Sequence, residues 1–234
     1  MPSLPASLRI YAIGDIHGRA DLLRELLGKI KAEERRRTPA SSRLIFLGDY
    51  VDRGPDTFGV IELLLNGLPP RMPTDFLIGN HERLLLDALN DDSCLPLWLA
   101  NGGGTVIEGY AEQARRRGQP AGQWSELSDL LPAKHLELLK ALAPFAQYGE
   151  YFFVHAGVRP GIALAHQELR DLIWIREPFL SHRGSFGKIV VHGHTPVIVP
   201  EIHSNRIAID TGAVFTGRLT ALVLDGDNRN FLST

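Results

Sequence analysis

The amino-acid sequence predicts an α/β fold (α+β in some classification schemes), with parallel strands first and antiparallel strands later. Three observations predict it. In the first third of the chain, short apolar segments alternate with amphipathic helical ones. From about residue 91 to 147, leucines and alanines recur at helical spacing and strand-like segments are absent. Strand-like segments then return and continue to the end of the chain, so helical and strand patterns divide the sequence into three regions.

The first region consists of three strand-helix pairs. The predicted strands are 9–14, 43–48 and 74–79, and the predicted helices are 21–37, 56–66 and a segment beginning at His81. Each strand is followed directly by a helix. This order predicts parallel strands joined by right-handed crossovers.

The second region, about 91–147, is expected to be a helical insert or cap without a clean linker. The third region has predicted strands at 150–154 and 188–191, followed by a tail whose strands at 197–202, 206–209 and 220–224 are spaced as in antiparallel sheets. A chain of 234 residues suits one α/β domain, so we expect a single domain over residues 1–234.

Composition narrows the range of functions. The formal net charge is −2, which lacks the basic excess of a nucleic-acid-binding protein. The N-terminus lacks the pattern of a secretory signal, and no apolar segment approaches the roughly 20 residues that span a membrane. The single cysteine excludes an intrachain disulfide. We therefore expect a cytoplasmic protein without a nucleic-acid or membrane partner.

Five predicted strands are each followed by a short polar motif. These motifs are GDIHG (14–18), GDYVDRG (48–54), GNHE (79–82), HAG (155–157) and HGHT (192–195). The carboxyl ends of strands in an open parallel sheet share one crevice, so we expect the five motifs to meet. Each motif alone has an ordinary structural explanation, such as a turn, a helix cap or a hydrogen-bonded histidine. Five of them at strand ends instead predict one metal site.

The residue types specify the chemistry of that site. Asp15 and His17 are two residues apart, so both point to the same side of a strand end and can chelate one ion. Asp49 can bridge two ions through its two oxygens. Asn80, His155 and His194 can complete a second site. Oxygen and nitrogen ligands without thiolate suit divalent ions such as Mn²⁺, Fe or Zn²⁺, and of these we expect Mn²⁺.

The motifs resemble those of the calcineurin-like metallophosphoesterases, in particular the small bacterial and phage branch of PPP-type serine/threonine phosphatases. Three further segments match that branch: WLANGGG (98–104), IWIR (173–176) and IDTGAVFTGRLT (209–220). The resemblance covers nearly the whole chain. It implies a central β-sandwich of two mixed sheets flanked by helices, with two divalent metal ions at the strand ends.

The resemblance also implies residue roles. Asp15, His17 and Asp49 correspond to the first metal site, and Asp49 is shared with the second. His81 corresponds to the general acid and Asp52 to the residue that orients it. Arg53 and Arg176 correspond to a clamp for the substrate phosphate. Catalysis would proceed by direct attack of a metal-bridging hydroxide on phosphorus, without a covalent phosphoenzyme.

The leading functional hypothesis is a phosphoprotein phosphatase acting on phosphoserine and phosphothreonine, with phosphotyrosine as a further candidate. The alternative enzyme is a symmetrical bis(5'-nucleosyl)-tetraphosphate hydrolase. The resemblance implies that Glu82, Asp52 and Thr195 in their motifs are more similar to the phosphatases than to these hydrolases, which favours the first activity. A third alternative, a non-catalytic metal-binding scaffold, is disfavoured because every expected ligand and His81 are present.

Overall fold

The structure is a computed structural model that describes residues 3–5, 8–36, 41–118, 128 and 131–234. Within these residues, the strands form two mixed sheets of five strands each. The expected pair of mixed sheets flanked by helices is therefore confirmed.

The first sheet combines the early strands with the end of the chain. Its strands are β1 (Leu8–Ile13), β2 (Ser41–Phe46), β3 (Thr74–Phe76), β9 (Thr220–Asp225) and β10 (Asn228–Ser233). Their spatial order is β10-β9-β1-β2-β3. The strands β1, β2 and β3 are parallel, as the strand-helix alternation predicts, and β9 pairs with β1 in the antiparallel direction.

The second sheet is built from the later strands. These are β4 (Phe145–Tyr148), β5 (Tyr151–Val154), β6 (Ile189–His192), β7 (Glu201–Ile202) and β8 (Arg206–Ala208). Their spatial order is β4-β5-β6-β8-β7. The three central strands β5, β6 and β8 are parallel, so their carboxyl ends lie at one edge.

The helices cover the outer faces of the sheets. They are α1 (Ala20–Glu34), α2 (Thr57–Asn66), α3 (Asn80–Asn90), α4 (Leu95–Trp98), α5 (Gly104–Arg116), α6 (Ala133–Lys140), α7 (Leu169–Trp174) and α8 (Ala213–Thr216). A π-helical turn at Leu99–Gly103 joins α4 to α5. Among the described residues, no helix combines the length and apolarity needed to cross a bilayer.

The alternation of side chains along the strands creates separate cores. In β1, Ile10 and Ala12 pack between the two sheets with Phe153 of β5. Tyr11 and Ile13 point the other way, into a core shared with the helices that follow the first strands. Because successive side chains of a strand face opposite sides, one apolar strand can serve two cores.

Two segments differ from the predicted pattern. The helical insert ends before residue 147, because Phe145–Tyr148 forms β4 and turns back through Gly149 to pair with β5. The segment predicted as a strand at 197–202 is a strand only at Glu201–Ile202. Pro196 and Pro200 flank the irregular part, and proline cannot donate a ladder hydrogen bond.

Candidate active site and metal centre

The strand ends bring the predicted metal ligands to one region. Asp15 and His17 follow β1, Asp49 follows β2, His155 follows β5 and His194 follows β6. Asn80 begins α3, just after β3. All six side chains are buried. Buried polar groups of this kind require partners, so the mutual geometry of the six residues decides what they can bind.

Asp49 lies between two clusters of possible ligands. Its Oδ2 is 3.4 Å from His17 Nε2 and 3.9 Å from His81 Nε2. Its Oδ1 is 3.4 Å from His155 Nε2. One group therefore comprises His17, Asp49 and His81, and the other comprises Asp49, His155 and His194, each with ligand atoms within 4.8 Å of one another. Since each carboxylate oxygen faces a different group, the geometry supports a bridging role for Asp49.

The four residues predicted for the second metal site, which are Asp49, Asn80, His155 and His194, lie close together. Asn80 Oδ1 lies 2.9 Å from His155 Nε2 and 2.9 Å from His194 Nδ1. His155 Nδ1 donates to the carbonyl of Leu47 at 3.0 Å. This bond leaves the lone pair of His155 Nε2 directed at Asn80 and Asp49, as a metal ligand requires.

His17 is oriented in the same way in the first group. Its Nδ1 donates to the carbonyl of Val51 at 2.9 Å, so the lone pair lies on Nε2. Arg53 Nη1 donates to this Nε2 at 2.7 Å. The contact shows that the lone pair is accessible from the cavity side. His17 thus presents an acceptor nitrogen beside Asp49, which is bonded to Arg53 in this structure.

Asp15 has a different environment from the one predicted. Both of its oxygens accept the backbone N–H of His194, at 3.2 and 3.0 Å. Its carboxylate is not part of the group formed by His17, Asp49 and His81. Burial, followed by the charges of Asp210 and Asp49, raises the pKa of Asp15 well above its usual range. Its part in the first metal site remains a prediction.

Asp210 is a site residue that the sequence analysis did not single out. It is buried, its Oδ1 accepts the N–H of Gly212 at 2.8 Å, and burial raises its pKa to about 6. A signal was available, because Asp210 follows β8 just as the other site residues follow their strands.

The charge states of the site suit divalent cations. Burial lowers the pKa of His17 and of His194 to about 3 and also lowers the pKa of His155, so these imidazoles are neutral at pH 7. Burial opposes ionisation of Asp49, but the charges that the surrounding imidazoles carry when protonated at low pH outweigh it and hold the pKa of Asp49 below the usual range. Neutral imidazoles beside an ionised carboxylate and an amide oxygen form a suitable donor set for such ions.

His81 and Asp52 form a short hydrogen bond. His81 Nδ1 donates to Asp52 Oδ2 at 2.6 Å, and both side chains are buried. Burial lowers the pKa of His81, but the charge of Asp49 and the bond to Asp52 outweigh it and raise the pKa above its ordinary value. His81 can therefore carry a proton on Nε2 towards the cavity, as a general acid must.

Glu82 holds the loop that carries Asp49. Its Oε2 accepts the N–H groups of Asp49 and Gly79 at 2.9 Å each, and its Oε1 accepts those of Tyr50 at 2.7 Å and Val51 at 3.2 Å. Burial and the charge of Asp49 raise the pKa of Glu82 to about 7, although these backbone donors act in the opposite direction. The sequence around Glu82 does not indicate this structural role, because the four donors lie in segments that only the fold brings together.

The site opens into a cavity of about 400 Å³. Arg53 and Arg176 both line it, as do Trp174 and Phe215, and these four side chains are exposed. Two guanidinium groups at the mouth of a buried metal-ligand cluster can hold a phosphate group in a fixed orientation. The predicted arginine clamp is therefore positioned at the cavity.

The backbone at the site is unusual. Six described non-glycine residues have a positive φ, and five of them are His17, Asp49, Asp52, Arg53 and His194. Left-handed backbone costs such residues about 1–3 kcal/mol each, so it persists only where surrounding packing enforces it. Gly54 helps by its lack of a side chain, because a Cβ there would overlap the carbonyl of His17.

Comparison with known proteins agrees with this geometry. The model of the calcineurin-like phosphoesterase family matches residues 8–217. Serine/threonine-protein phosphatase 1 of Salmonella typhimurium is 30% identical over 221 residues, which cover 90% of this chain and 89% of that protein. An asymmetrical bis(5'-nucleosyl)-tetraphosphatase, PrpE of Oceanobacillus iheyensis, is 26% identical over 224 residues, with 92% and 88% covered.

A solved structure also shares the fold. A cold-active protein tyrosine phosphatase superposes with a TM-score of 0.67 at 18% identity, covering 97% of this chain and 79% of that one. At that identity the likeness concerns the fold alone. Together with the family match over most of the sequence, the ordered motifs and the buried Asp/His clusters lead to one conclusion. The chain belongs to the calcineurin-like phosphoesterase family.

Proposed function

We propose that this protein is a metal-dependent protein phosphatase that hydrolyses phosphoserine and phosphothreonine, with phosphotyrosine as a further substrate. One observation carries the proposal: Asp49 stands between two ligand groups, and His81, which is bonded to Asp52, faces the same cavity as both arginines. Asp15, His17 and Asp49 are assigned to one ion, and Asp49, Asn80, His155 and His194 to the other. Mn²⁺ is the proposed metal.

Each protein group has a separate task. Arg53 and Arg176 bind the equatorial phosphate oxygens and fix the phosphorus for in-line attack. His81 donates the proton on Nε2 to the departing oxygen, and Asp52 keeps the ring in the required tautomer through Nδ1. Bound divalent ions would supply an activated water and neutralise charge on the phosphate. The burial of the ligands keeps bulk water away from these charges.

Three observations support a phosphoprotein substrate. The cavity is bordered by the exposed side chains of Arg53, Arg176 and Phe215, so a phosphorylated side chain on a polypeptide can reach it from solvent. The relative that is 30% identical over most of this chain is a serine/threonine-protein phosphatase by name. Asp52, which this activity is expected to require, is present and bonded to His81.

A second candidate is hydrolysis of a dinucleoside tetraphosphate. Relatives bearing that activity in their names are 26–28% identical over about nine-tenths of this chain. Trp174 and Phe215 at the cavity provide exposed aromatic surfaces on which a nucleobase could stack. These relatives are asymmetrical hydrolases by name, whereas the alternative expected from the sequence is the symmetrical reaction.

The two activities are separated by measuring kcat/KM for a phosphothreonine peptide and for diadenosine tetraphosphate with added Mn²⁺. We expect the higher kcat/KM with the peptide. Asp49→Asn serves as the control that assigns both activities to this site. Trp174→Ala is an additional arm, since loss of stacking would lower kcat/KM for the nucleotide more than for the peptide. A higher kcat/KM for the nucleotide in the unmodified protein would overturn the proposal.

A further inference from the structure

The segment Trp98–Gly103 lies in the helical insert yet reaches the catalytic pair. Trp98 ends α4 and is fully buried. Its indole Nε1 donates to both oxygens of Asp52, at 2.9 Å to Oδ1 and 3.1 Å to Oδ2. Asp52 Oδ2 also accepts the short bond from His81 Nδ1. The indole, the carboxylate and the imidazole therefore form one continuous hydrogen-bonded chain.

The turn after Trp98 holds the indole in place. Gly103 lies against the face of the ring, and a Cβ at this position would overlap the fused ring atoms of Trp98. Gly102 has a φ of 105°, and its carbonyl accepts the backbone N–H of Arg53 at 3.1 Å. The two glycines thus allow the insert to contact the backbone beside Asp52 closely.

We propose that Trp98 is a positioning residue for the general acid. The proposal rests on the role of His81 in the proposed function. If the Asp52 carboxylate were bonded only to His81, it could rotate about its Cβ–Cγ bond, and the imidazole would turn with it. The indole N–H shared between both oxygens fixes the plane of the Asp52 carboxylate, which in turn fixes the direction of His81 Nε2. Trp98 acts through Asp52 and His81 and does not contact the substrate.

This role predicts a dependence on the leaving group. A general acid matters most when the departing oxygen is strongly basic, as in phosphothreonine, and least when it is weakly basic, as in p-nitrophenyl phosphate. Trp98→Phe keeps an aromatic ring against Gly103 and removes the N–H. We expect kcat for a phosphothreonine peptide to fall about tenfold, as for loss of a hydrogen bond to a charged group, with KM unchanged. For p-nitrophenyl phosphate, kcat should change less than about twofold.

Two controls keep the outcomes distinct. Tyr110→Phe removes a different buried donor of the same insert, one that bonds to His135 Nδ1 at 2.8 Å, and it should lack the leaving-group pattern. His81→Asn should show the same pattern as Trp98→Phe with a larger loss. If His81→Asn lacks the pattern, the proposed function fails. If only Trp98→Phe lacks it, the positioning role fails and the proposed function stands.

Folding of the variant is checked by thermal unfolding and by Mn²⁺ content. If Trp98→Phe does not fold, benzothienylalanine incorporated at position 98 retains the shape of the indole and replaces N–H by sulfur. The same leaving-group dependence is then expected. Equal losses of kcat for both substrates, or no loss for the phosphothreonine peptide, would overturn the proposal.

Discussion

The strand-end ligands and the insert segment Trp98–Gly103 both shape the site, but they do so differently. The ligands follow strands of two different sheets, and they converge because the parallel strands of each sheet end at one edge and the two sheets pack face to face. The insert segment approaches from outside the sheets and touches Asp52 and the backbone of Arg53. The proposed metal site therefore depends on sheet topology and on the packing of the two sheets, whereas the proposed orientation of the acid depends on packing of the insert.

The largest loss of activity is expected from substitution of Asp49, the ligand that both groups share. Asp49→Asn removes the charge that lies between both ligand groups. Hydrolysis of p-nitrophenyl phosphate should fall to the background rate at any Mn²⁺ concentration, because activation of water depends on the bound ions. The measurement is kcat across a Mn²⁺ titration. Restoration of substantial turnover at high Mn²⁺ would contradict a bridging role.

The next largest loss of activity is expected at His81, which Asp52 links to the insert segment. His81→Asn removes the proton donor and leaves the predicted ligands in place. We expect kcat for a phosphothreonine peptide to fall on the order of 10²- to 10⁴-fold, the usual contribution of general acid catalysis. The measurement is kcat for the folded variant with saturating Mn²⁺. An unchanged kcat would remove His81 from the mechanism.

The strand-end part of the site was predictable because its signals are local. Each predicted metal ligand lies within a few residues of the end of an apolar strand segment. The ligands are Asp15, His17, Asp49, Asn80, His155 and His194. Parallel pairing then brings the residues of each sheet to one edge, and packing of the two sheets brings the two edges together. Asp210 obeys the same rule and could have been found by it. The irregular segment after His194 was harder, since apolar residues there resemble a strand that two prolines interrupt.

The contribution of the insert could not be predicted in the same way. Nothing local to Trp98 indicates that its indole N–H reaches Asp52, which is 46 positions away in the sequence. The four backbone bonds to Glu82 are equally hidden, because they depend on how the loop after β2 folds over α3. Contacts of this kind arise from tertiary packing, on which periodicity carries no information.

The hydrogen bonds of Glu82 predict an effect on the free energy of unfolding. Glu82→Gln replaces two acceptor oxygens by one acceptor and one donor, so backbone N–H groups of the Asp49 loop lose their partners. We expect destabilisation of roughly 1–3 kcal/mol for each donor left buried and unpaired. Urea unfolding of the metal-free protein measures it, with exposed Glu108→Gln as the matched control. Equal stability of the two variants would show that Glu82 does not hold the loop.

The smallest effect is expected from a double variant. If Trp98 acts through His81, adding Trp98→Phe to His81→Asn should change kcat for the phosphothreonine peptide less than about twofold. The effects of the two substitutions on kcat are then fully non-additive. Comparison of kcat across the four proteins of this cycle measures it. A further tenfold loss in the double variant would show that Trp98 supports activity by a route independent of the acid.

In the proposed site, two divalent ions share Asp49 at the strand ends. Metal content per chain, measured by mass spectrometry after equilibrium dialysis against Mn²⁺, tests it most directly. We expect about two ions in the unmodified protein, as in other two-metal sites, and about two in His81→Asn. Asp49→Asn should lose both. Equal metal loss in Asp49→Asn and His81→Asn, or a single ion in the unmodified protein, would contradict the account.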